Sequence, residues 1–105
     1  MANVLTRLAK TIESRKGEDE KKSYAAKLFK RGPEKCAEKF GEEAVEAIIA
    51  AVKDDKQNLK EEAADVLFHL LVMLNSRGVS YDDVLGELER REGVSGIVEK
   101  QSRSK

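Results

Sequence analysis

The amino-acid sequence predicts an all-α protein of four to five helices, and three of its properties support that fold class. Charged residues make up 38% of the chain and aromatic residues 5%, with one proline and no tryptophan, a composition that favours helix formers. Apolar residues recur at helical spacing, and capping residues precede several of these runs. The 105 residues suit a single domain, and a helical bundle this small is expected to gain from oligomerising.

The charge balance excludes two classes of partner. Twenty basic and twenty acidic side chains cancel, so the chain has no net electrostatic attraction to nucleic acid or to an anionic membrane. The single cysteine, Cys36, cannot form an intramolecular disulfide, and no apolar run is long enough to span a bilayer or serve as a signal segment. We therefore expect a cytoplasmic protein with no nucleic-acid or membrane partner.

The first two helices are predicted from apolar spacing and from capping residues. Apolar residues recur at helical spacing from Asn3 to Ile12, and Gly17 is placed to end this first helix at its C′ position. After a wholly charged stretch, Ser23 can cap a short helix that ends near Gly32.

A third helix is predicted from Pro33 to about Asp54, because proline suits the first helical turn, where its missing N–H costs no hydrogen bond. Its helical-wheel positions divide into two sides. One side gathers Phe40, Ala44, Ala47, Ile48, Ala51 and Val52, and the other gathers Lys35, Lys39, Glu42, Glu43, Glu46 and Ala50. Two lysines therefore lie in line with three carboxylates.

The next helix is predicted to begin at Asn58, because Asn58 and Glu61 have the form of an N-cap and its reciprocal partner. Between Val66 and Leu74 its only polar residue is His69, and a helix that is apolar all round is normally buried by several neighbours. We therefore expect this helix to be central.

The last predicted helix follows Ser80 and ends near Gly93. Ser80 with Asp83 repeats the capping pattern. The tail at 94–105 has three apolar residues, Val94, Ile97 and Val98, among mostly polar ones, and we expect it to be a mobile extension of the single domain 1–105.

Two of the predicted helices carry carboxylates three residues apart. Glu43 with Glu46, and Glu62 with Asp65, each share a helix face, since positions i and i+3 are neighbours. If the two edges face each other, four carboxylates surround one cation. Partly buried like charges cost several kcal/mol unless they are neutralised, roughly the penalty of an uncompensated buried ion, and a divalent cation offsets that cost.

The residue types favour Mg²⁺ at such a site, with Mn²⁺ as a substitute. Hard oxygen ligands suit both ions, whereas Zn²⁺ favours Cys and His spacings that the sequence lacks. A di-iron bundle would carry Glu-x-x-His on two helices, and neither acidic motif has histidine at that place. Mg²⁺ held by carboxylates is also the usual partner of phosphate substrates, with lysines to bind the remaining phosphate charge.

Simpler explanations exist for each part of this pattern. Glutamates in a first helical turn are favoured by the helix dipole and by capping alone, so Glu61 and Glu62 need no metal, and a single acidic motif is often a solvated face. His69 is either an outer group that hydrogen-bonds Asp65 one turn away or a satisfied core histidine. Cys36 is predicted to be a small core or boundary residue. The occurrence of two matched motifs favours the metal site over a solvated face.

The acidic pattern resembles the metal motif of the MazG-like all-α nucleotide pyrophosphohydrolases, with Glu42-Glu43-x-x-Glu46 followed by Glu62-x-x-Asp65. Within that superfamily, four segments look like the phosphoribosyl-ATP pyrophosphohydrolase family, namely Ser23–Leu28, Lys35–Glu46, Glu62–Leu71 and Ser95–Lys100. The similarity covers nearly the whole chain. The first and last segments narrow the resemblance to this family, whereas the acidic motif is common to the superfamily.

The resemblance implies a MazG-like helical bundle completed as a homodimer or higher homo-oligomer, with the site between helices and near a subunit boundary. It implies Mg²⁺-dependent hydrolysis of phosphoribosyl-ATP to phosphoribosyl-AMP and pyrophosphate, the second step of histidine biosynthesis. The residues expected to bind the metal are Glu43, Glu46, Glu62 and Asp65, and those expected to bind the phosphates and the phosphoribosyl group are Lys27, Lys35, Lys39, Lys100 and Arg103.

The resemblance also suggests how the reaction would proceed. Water is the expected nucleophile, and Glu42 or one of the four metal-binding carboxylates would accept its proton. Glu42 is favoured because it is adjacent to the metal motif and is not needed as a ligand. The tail is expected to order over bound substrate.

Two other functions are compatible with the same sequence. A relative that removes unwanted nucleoside triphosphates would share the metal site, so that only the substrate separates the two enzymes. A non-catalytic helical dimerisation module would carry the same acids as surface charge.

Overall fold

A computed structural model describes residues 3–93 and 96–103, and every regular element in these ranges is an α-helix. The helices are α1 (Val4–Ser14), α2 (Tyr24–Arg31), α3 (Pro33–Val52), α4 (Lys56–Ser76), α5 (Tyr81–Arg91) and α6 (Gly96–Arg103). None of these helices is both long enough and apolar enough to cross a membrane.

The all-α prediction is confirmed, with six helices in the described ranges instead of four to five. The additional helix is α6, which the short apolar content of the tail did not indicate. Parts of the predicted domain and tail, residues 1–2, 94–95 and 104–105, lie outside the described residues. Ser95, which begins the last segment of the family resemblance, is among them.

Side-chain caps explain where most of the helices begin. Asn3, Ser23 and Ser80 accept hydrogen bonds from backbone N–H groups in the first turns of α1, α2 and α5, at 2.9, 3.1 and 3.0 Å. The carboxylate of Asp83 in turn accepts the N–H of Ser80 at 3.0 Å, which completes the predicted reciprocal box. Pro33 occupies the first turn of α3, as predicted.

The predicted start of α4 is wrong. The helix begins at Lys56, and Asp55 is its N-cap, with a carboxylate that accepts the N–H of Asn58 at 3.1 Å. Aspartate at this position satisfies one of the first free N–H groups of the helix, that of Asn58, which is thereby inside the first turn. Glu61 therefore lies inside the helix, where it accepts a hydrogen bond from the side chain of Gln57 at 2.8 Å.

The first helix also ends earlier than predicted. α1 ends at Ser14, and the N–H of Arg15 donates to the carbonyl of Ile12 at 3.0 Å. Gly17 lies two residues beyond this cap with a φ of 83°. It therefore turns the chain into the charged stretch, a left-handed conformation that glycine adopts without strain.

Helices α3 and α4 form an antiparallel hairpin, which is the most extensive helix contact in the described chain. Only residues 53–55 join them, a loop length typical of an αα-hairpin. Asp54 takes a left-handed φ of 57° in this loop, which aspartate tolerates better than most residues. Helix α1 packs on α4, and α2 packs on both helices of the hairpin.

The buried core is small and lies where α1 and α2 cover the hairpin. Its members are Ala9, Ile12, Ala25, Leu28, Cys36, Leu71 and Val72. Cys36 is fully buried, and its thiol donates a long hydrogen bond to the carbonyl of Leu28 at 3.4 Å. The prediction that Cys36 is a small core residue is therefore confirmed.

The hairpin leaves large apolar side chains exposed. Ile48 and Val52 are 61% and 82% exposed, whereas Ala50, which the helical wheel placed on the opposite side, is only 1% exposed. On α4, His69, Leu71, Val72 and Asn75 are buried, while Leu67 is exposed. Helix α4 was expected to be central, but within one chain its neighbours bury only part of its surface.

Candidate metal centre

The α3–α4 hairpin brings the predicted acids together. Carboxylate oxygens of Glu43, Glu62 and Asp65 lie within 4.8 Å of one another. Glu46 lies outside this group of three, but it is close enough to Glu62 to contribute to the raised pKa of that carboxyl. Because the two helices are antiparallel, Glu43 lies at the level of Asp65 and Glu46 at the level of Glu62. We call these four residues the acid group.

Glu62 is the electrostatically strained member of the acid group. Its Oε1 is buried and has no hydrogen-bond partner among the described residues. Burial raises the pKa of Glu62 to about 7, and the carboxylates of Glu46 and Glu43 add to the effect. Buried acceptors without a donor are rare in folded proteins. The acid group therefore fits a divalent cation, which binds oxygen ligands and would supply the contact that Oε1 lacks.

Two ion pairs along α3 accompany the acid group. Lys39 Nζ lies 3.0 Å from Oε1 of Glu42, and Lys35 Nζ lies 3.2 Å from Oε1 of Glu38. The hydrogen bond from Lys39 lowers the pKa of Glu42, and the same bond raises the pKa of Lys39. Glu42 is exposed and is paired with Lys39. It is not one of the three residues whose carboxylate oxygens lie within 4.8 Å of one another.

The remaining residues predicted to bind substrate lie on other helices. Lys27 is exposed on α2, which packs on both helices of the hairpin. Lys100 and Arg103 are exposed in the last turn of α6. The substrate-binding role of all three stays a prediction.

A cluster of three rings lies between α2 and α4. The rings of Tyr24 and Phe68 are stacked, with centroids 6.0 Å apart and planes at 16°. The ring of His69 meets both edge-on, at 5.8 Å from Tyr24 and 5.2 Å from Phe68. Sequence reasoning missed this cluster, although Tyr24 belongs to one of the segments that carries the family resemblance.

His69 matches neither of its two predicted roles fully. It is only 5% exposed, as a core residue should be, but its Nδ1 has no hydrogen-bond partner in the described part of the chain. Burial lowers the pKa of His69, although the charge of Glu43 opposes the shift. The ring is therefore neutral at pH 7, since an unperturbed histidine already titrates near 6.5.

Fold and site together define a class of protein: all-α chains in which two antiparallel helices bring carboxylates together, which is consistent with the MazG-like superfamily. The sequence model of the family described as "Phosphoribosyl-ATP pyrophosphohydrolase" matches residues 5–92. The chain therefore belongs to the phosphoribosyl-ATP pyrophosphohydrolase family, which confirms the resemblance seen in the sequence.

Curated relatives of high identity support this assignment. The phosphoribosyl-ATP pyrophosphatase of Rhodobacter capsulatus is 69% identical over 99 residues, which are 94% of this chain and 96% of that protein. The protein of the same name from Dinoroseobacter shibae is 66% identical over 101 residues, 96% of this chain and 99% of its own. That of Paracoccus denitrificans is 66% identical over 99 residues, 94% and 92% of the two chains.

The raised pKa of Glu62 leads to a prediction about stability in metal-free buffer. Its folded-state pKa of about 7 lies above the ordinary glutamate value of about 4.3, so folding loses stability as pH rises from the lower value to the higher one. Glu62→Gln removes this titration. We expect the variant to melt a few degrees above the wild type at pH 8 in the presence of EDTA, with a smaller difference near pH 5.

Glu61→Gln serves as the matched control, because Glu61 is the exposed neighbour of Glu62 on α4. Its melting temperature should change little at either pH. Thermal denaturation followed by circular dichroism measures both variants. A Glu62→Gln protein that melts at or below the wild-type temperature at pH 8 would show that Glu62 is not under electrostatic strain.

Proposed function

We propose that the protein hydrolyses phosphoribosyl-ATP to phosphoribosyl-AMP and pyrophosphate, the second step of histidine biosynthesis, in the cytoplasm. Family membership and the names of the relatives support the substrate. The structural observation that carries the proposal is the acid group between α3 and α4, with Lys35 and Lys39 on α3. Carboxylates that hold a hard cation beside lysines suit a polyphosphate substrate.

Mg²⁺ is the proposed cofactor, with Mn²⁺ as a substitute, and Glu43, Glu46, Glu62 and Asp65 would hold it. When bound, the ion supplies Lewis-acid polarisation of the phosphoryl oxygens and neutralises their developing charge. The chain contributes oxygen ligands that are already gathered, since three of them lie within 4.8 Å of one another. Glu62 must give up its proton when the cation binds, so metal affinity should increase with pH up to about 7.

Glu42 is the proposed acceptor of the proton from the attacking water. It directly precedes Glu43, and its pairing with Lys39 lowers its pKa and keeps it ionised at neutral pH. The same ion pair weakens Glu42 as a base as long as it is intact. Binding of a substrate phosphate by Lys39 would release Glu42 and increase its basicity at the point in the reaction where a base is needed.

The remaining basic residues would bind the other parts of the substrate. Lys27 lies on α2, which packs on both helices of the hairpin, and Lys35 lies one turn before Lys39 on α3. Lys100 and Arg103 would act from α6, with the tail ordering over the bound substrate.

We further propose that the working form is a homodimer or a higher homo-oligomer. Exposed apolar side chains on the hairpin support this, namely Val45, Ile48, Ile49 and Val52 on α3 and Leu67 on α4. Soluble monomers seldom expose large contiguous apolar patches, and such patches mark interaction sites. The acid group lies on the same two helices, so the proposed boundary between subunits would adjoin the site.

Incubation of the purified protein with phosphoribosyl-ATP and with a panel of free nucleoside triphosphates tests the substrate. We expect Mg²⁺-dependent release of pyrophosphate from phosphoribosyl-ATP and slow or no turnover of the free nucleotides. Omission of Mg²⁺, with EDTA present, should abolish release. Fast turnover of the free nucleotides, with none of phosphoribosyl-ATP, would instead favour the removal of unwanted nucleotides.

Substitutions in the acid group distinguish an enzyme from a dimerisation module. We expect Asp65→Asn to lower activity at least about 100-fold, since even outer groups around a metal contribute 10- to 100-fold, and Glu42→Gln to lower kcat about 10²- to 10⁴-fold. Glu38→Gln is the matched control for Glu42, because Glu38 forms the equivalent ion pair one turn earlier. Wild-type activity and Mg²⁺ binding in both Asp65→Asn and Glu46→Gln, measured by steady-state kinetics and calorimetry, would rule out the metal site.

Sedimentation velocity tests the proposed self-association. The wild type should sediment as a species of at least twice the chain mass of 11.7 kDa, and Ile48→Asp should shift it toward a single chain, because a charge at a buried interface is strongly unfavourable. Val4→Asp is the control, since Val4 is equally apolar and exposed but lies on α1. A wild-type protein that sediments as one chain at micromolar concentration would contradict the proposal.

A further inference from the structure

Tyr24 presents an aromatic ring that is exposed and yet held in a fixed orientation. It is the first residue of α2 and is 50% exposed. Phe68 stacks on its ring, and His69 packs edge-on against it. The cap by Ser23, which accepts the N–H of Ala26 at 3.1 Å, fixes the backbone where the ring is attached. A held aromatic ring with free surface is suited to stacking on a flat ligand.

The ring of Tyr24 lies beside the acid group. His69, which contacts the ring, is one helical turn after Asp65 on α4. Glu42 is the main cause of the raised pKa of Lys39, and Tyr24 adds to it, which places the tyrosine near that ammonium group as well. Tyr24 and the acid group are therefore neighbours, since each lies near Lys39 and near the buried His69.

We propose that Tyr24 stacks on the nucleobase of the substrate, while the acid group and Lys39 receive its phosphates. This inference rests on the proposed function, because it places a nucleotide at that site. In phosphoribosyl-ATP the flat base lies between the triphosphate and the phosphoribosyl group, and the surface offers an aromatic ring beside the proposed cation site. Stacking tolerates any base, so Tyr24 contributes affinity and orientation more than choice among bases.

The contacts that Phe68 and His69 make with the ring of Tyr24 explain why three aromatic residues are gathered here. Stacking on a base is strongest when the protein ring does not have to be ordered during binding, because the entropy cost has already been met by folding. Phe68 and the neutral, buried His69 restrict the rotation of Tyr24 through direct ring contacts. They are positioning residues, whereas Tyr24 is the residue that would touch the substrate.

Kinetics of Tyr24→Leu and Tyr24→Phe test the stacking. Tyr24→Leu keeps an apolar side chain but removes the ring, and we expect it to raise KM for phosphoribosyl-ATP about tenfold, the low-to-middle range for loss of one base stack, with little change in kcat. Tyr24→Phe should recover most of the lost affinity. The inhibition constant of pyrophosphate, which has no base, should be the same in Tyr24→Leu as in the wild type.

Fluorescence gives a second readout that leaves Tyr24 intact. The chain has two tyrosines and no tryptophan, so Tyr81→Phe makes Tyr24 the only strong intrinsic fluorophore. Tyr81 lines an apolar cavity of about 170 Å³ among α1, α4 and α5, apart from the acid group, so this variant should keep wild-type KM. Phosphoribosyl-AMP, at concentrations that inhibit turnover, should quench the emission, and pyrophosphate should not.

The outcomes separate this inference from the proposed function. If the wild type does not hydrolyse phosphoribosyl-ATP, the proposed function fails, and with it the assignment of a nucleotide to this surface. If the wild type is active and Tyr24→Leu keeps its KM, or affects pyrophosphate as strongly as the nucleotide, the stacking alone is wrong. If Tyr24→Leu does not fold, the quenching experiment decides, and equal emission with and without phosphoribosyl-AMP overturns the proposal.

Discussion

Repulsion among the carboxylates between α3 and α4 is the constraint on which the rest of the structure depends. Carboxylate oxygens of Glu43, Glu62 and Asp65 lie within 4.8 Å of one another, and burial, together with the charges of Glu46 and Glu43, raises the pKa of Glu62 to about 7. Free helices would separate to relieve such repulsion, so the packing has to hold them. The α3–α4 contact is the most extensive in the described chain, and α1 and α2 pack against it. If the acid group binds the proposed cation, this local loss of stability would keep its ligands in place before the ion arrives.

The same constraint explains why one chain leaves apolar surface uncovered. A helix has a single face toward its hairpin partner, and on α3 that face holds Cys36, Glu43 and Ala50, of which one is acidic and two are small. Larger apolar residues such as Ile48 and Val52 are displaced to the outer face. The small core and the exposed apolar patch therefore both result from turning carboxylates toward the partner helix. Another subunit could cover that patch without any movement of the acid group.

The sequence was sufficient for the fold class and for the acids that meet, because both depend on local periodicity. Carboxylates at i and i+3 share a helix face, and two helices joined by a short loop bring such faces together when both are turned toward the partner helix. The sequence was insufficient where neighbouring residues compete for the same role. Asp55, and not Asn58, is the N-cap of α4, and Ala50 is buried while Ile48 is exposed. The ring cluster of Tyr24, Phe68 and His69 joins α2 to α4, and no local pattern reports a contact between separate helices.

Lys39 and Glu42 show how the surface beside the acid group is kept ready for an anion. Lysines next to several carboxylates could be drawn onto the acids themselves, where they would occupy the cation site. Instead, Lys35 and Lys39 are paired with Glu38 and Glu42 along α3, at 3.2 and 3.0 Å. Ion pairs at exposed positions are weak, so an incoming phosphate can replace a carboxylate at little cost. In the proposed mechanism, such an exchange at Lys39 would bring the lysine to the ligand and free Glu42, which would couple the binding of phosphate to the appearance of a base.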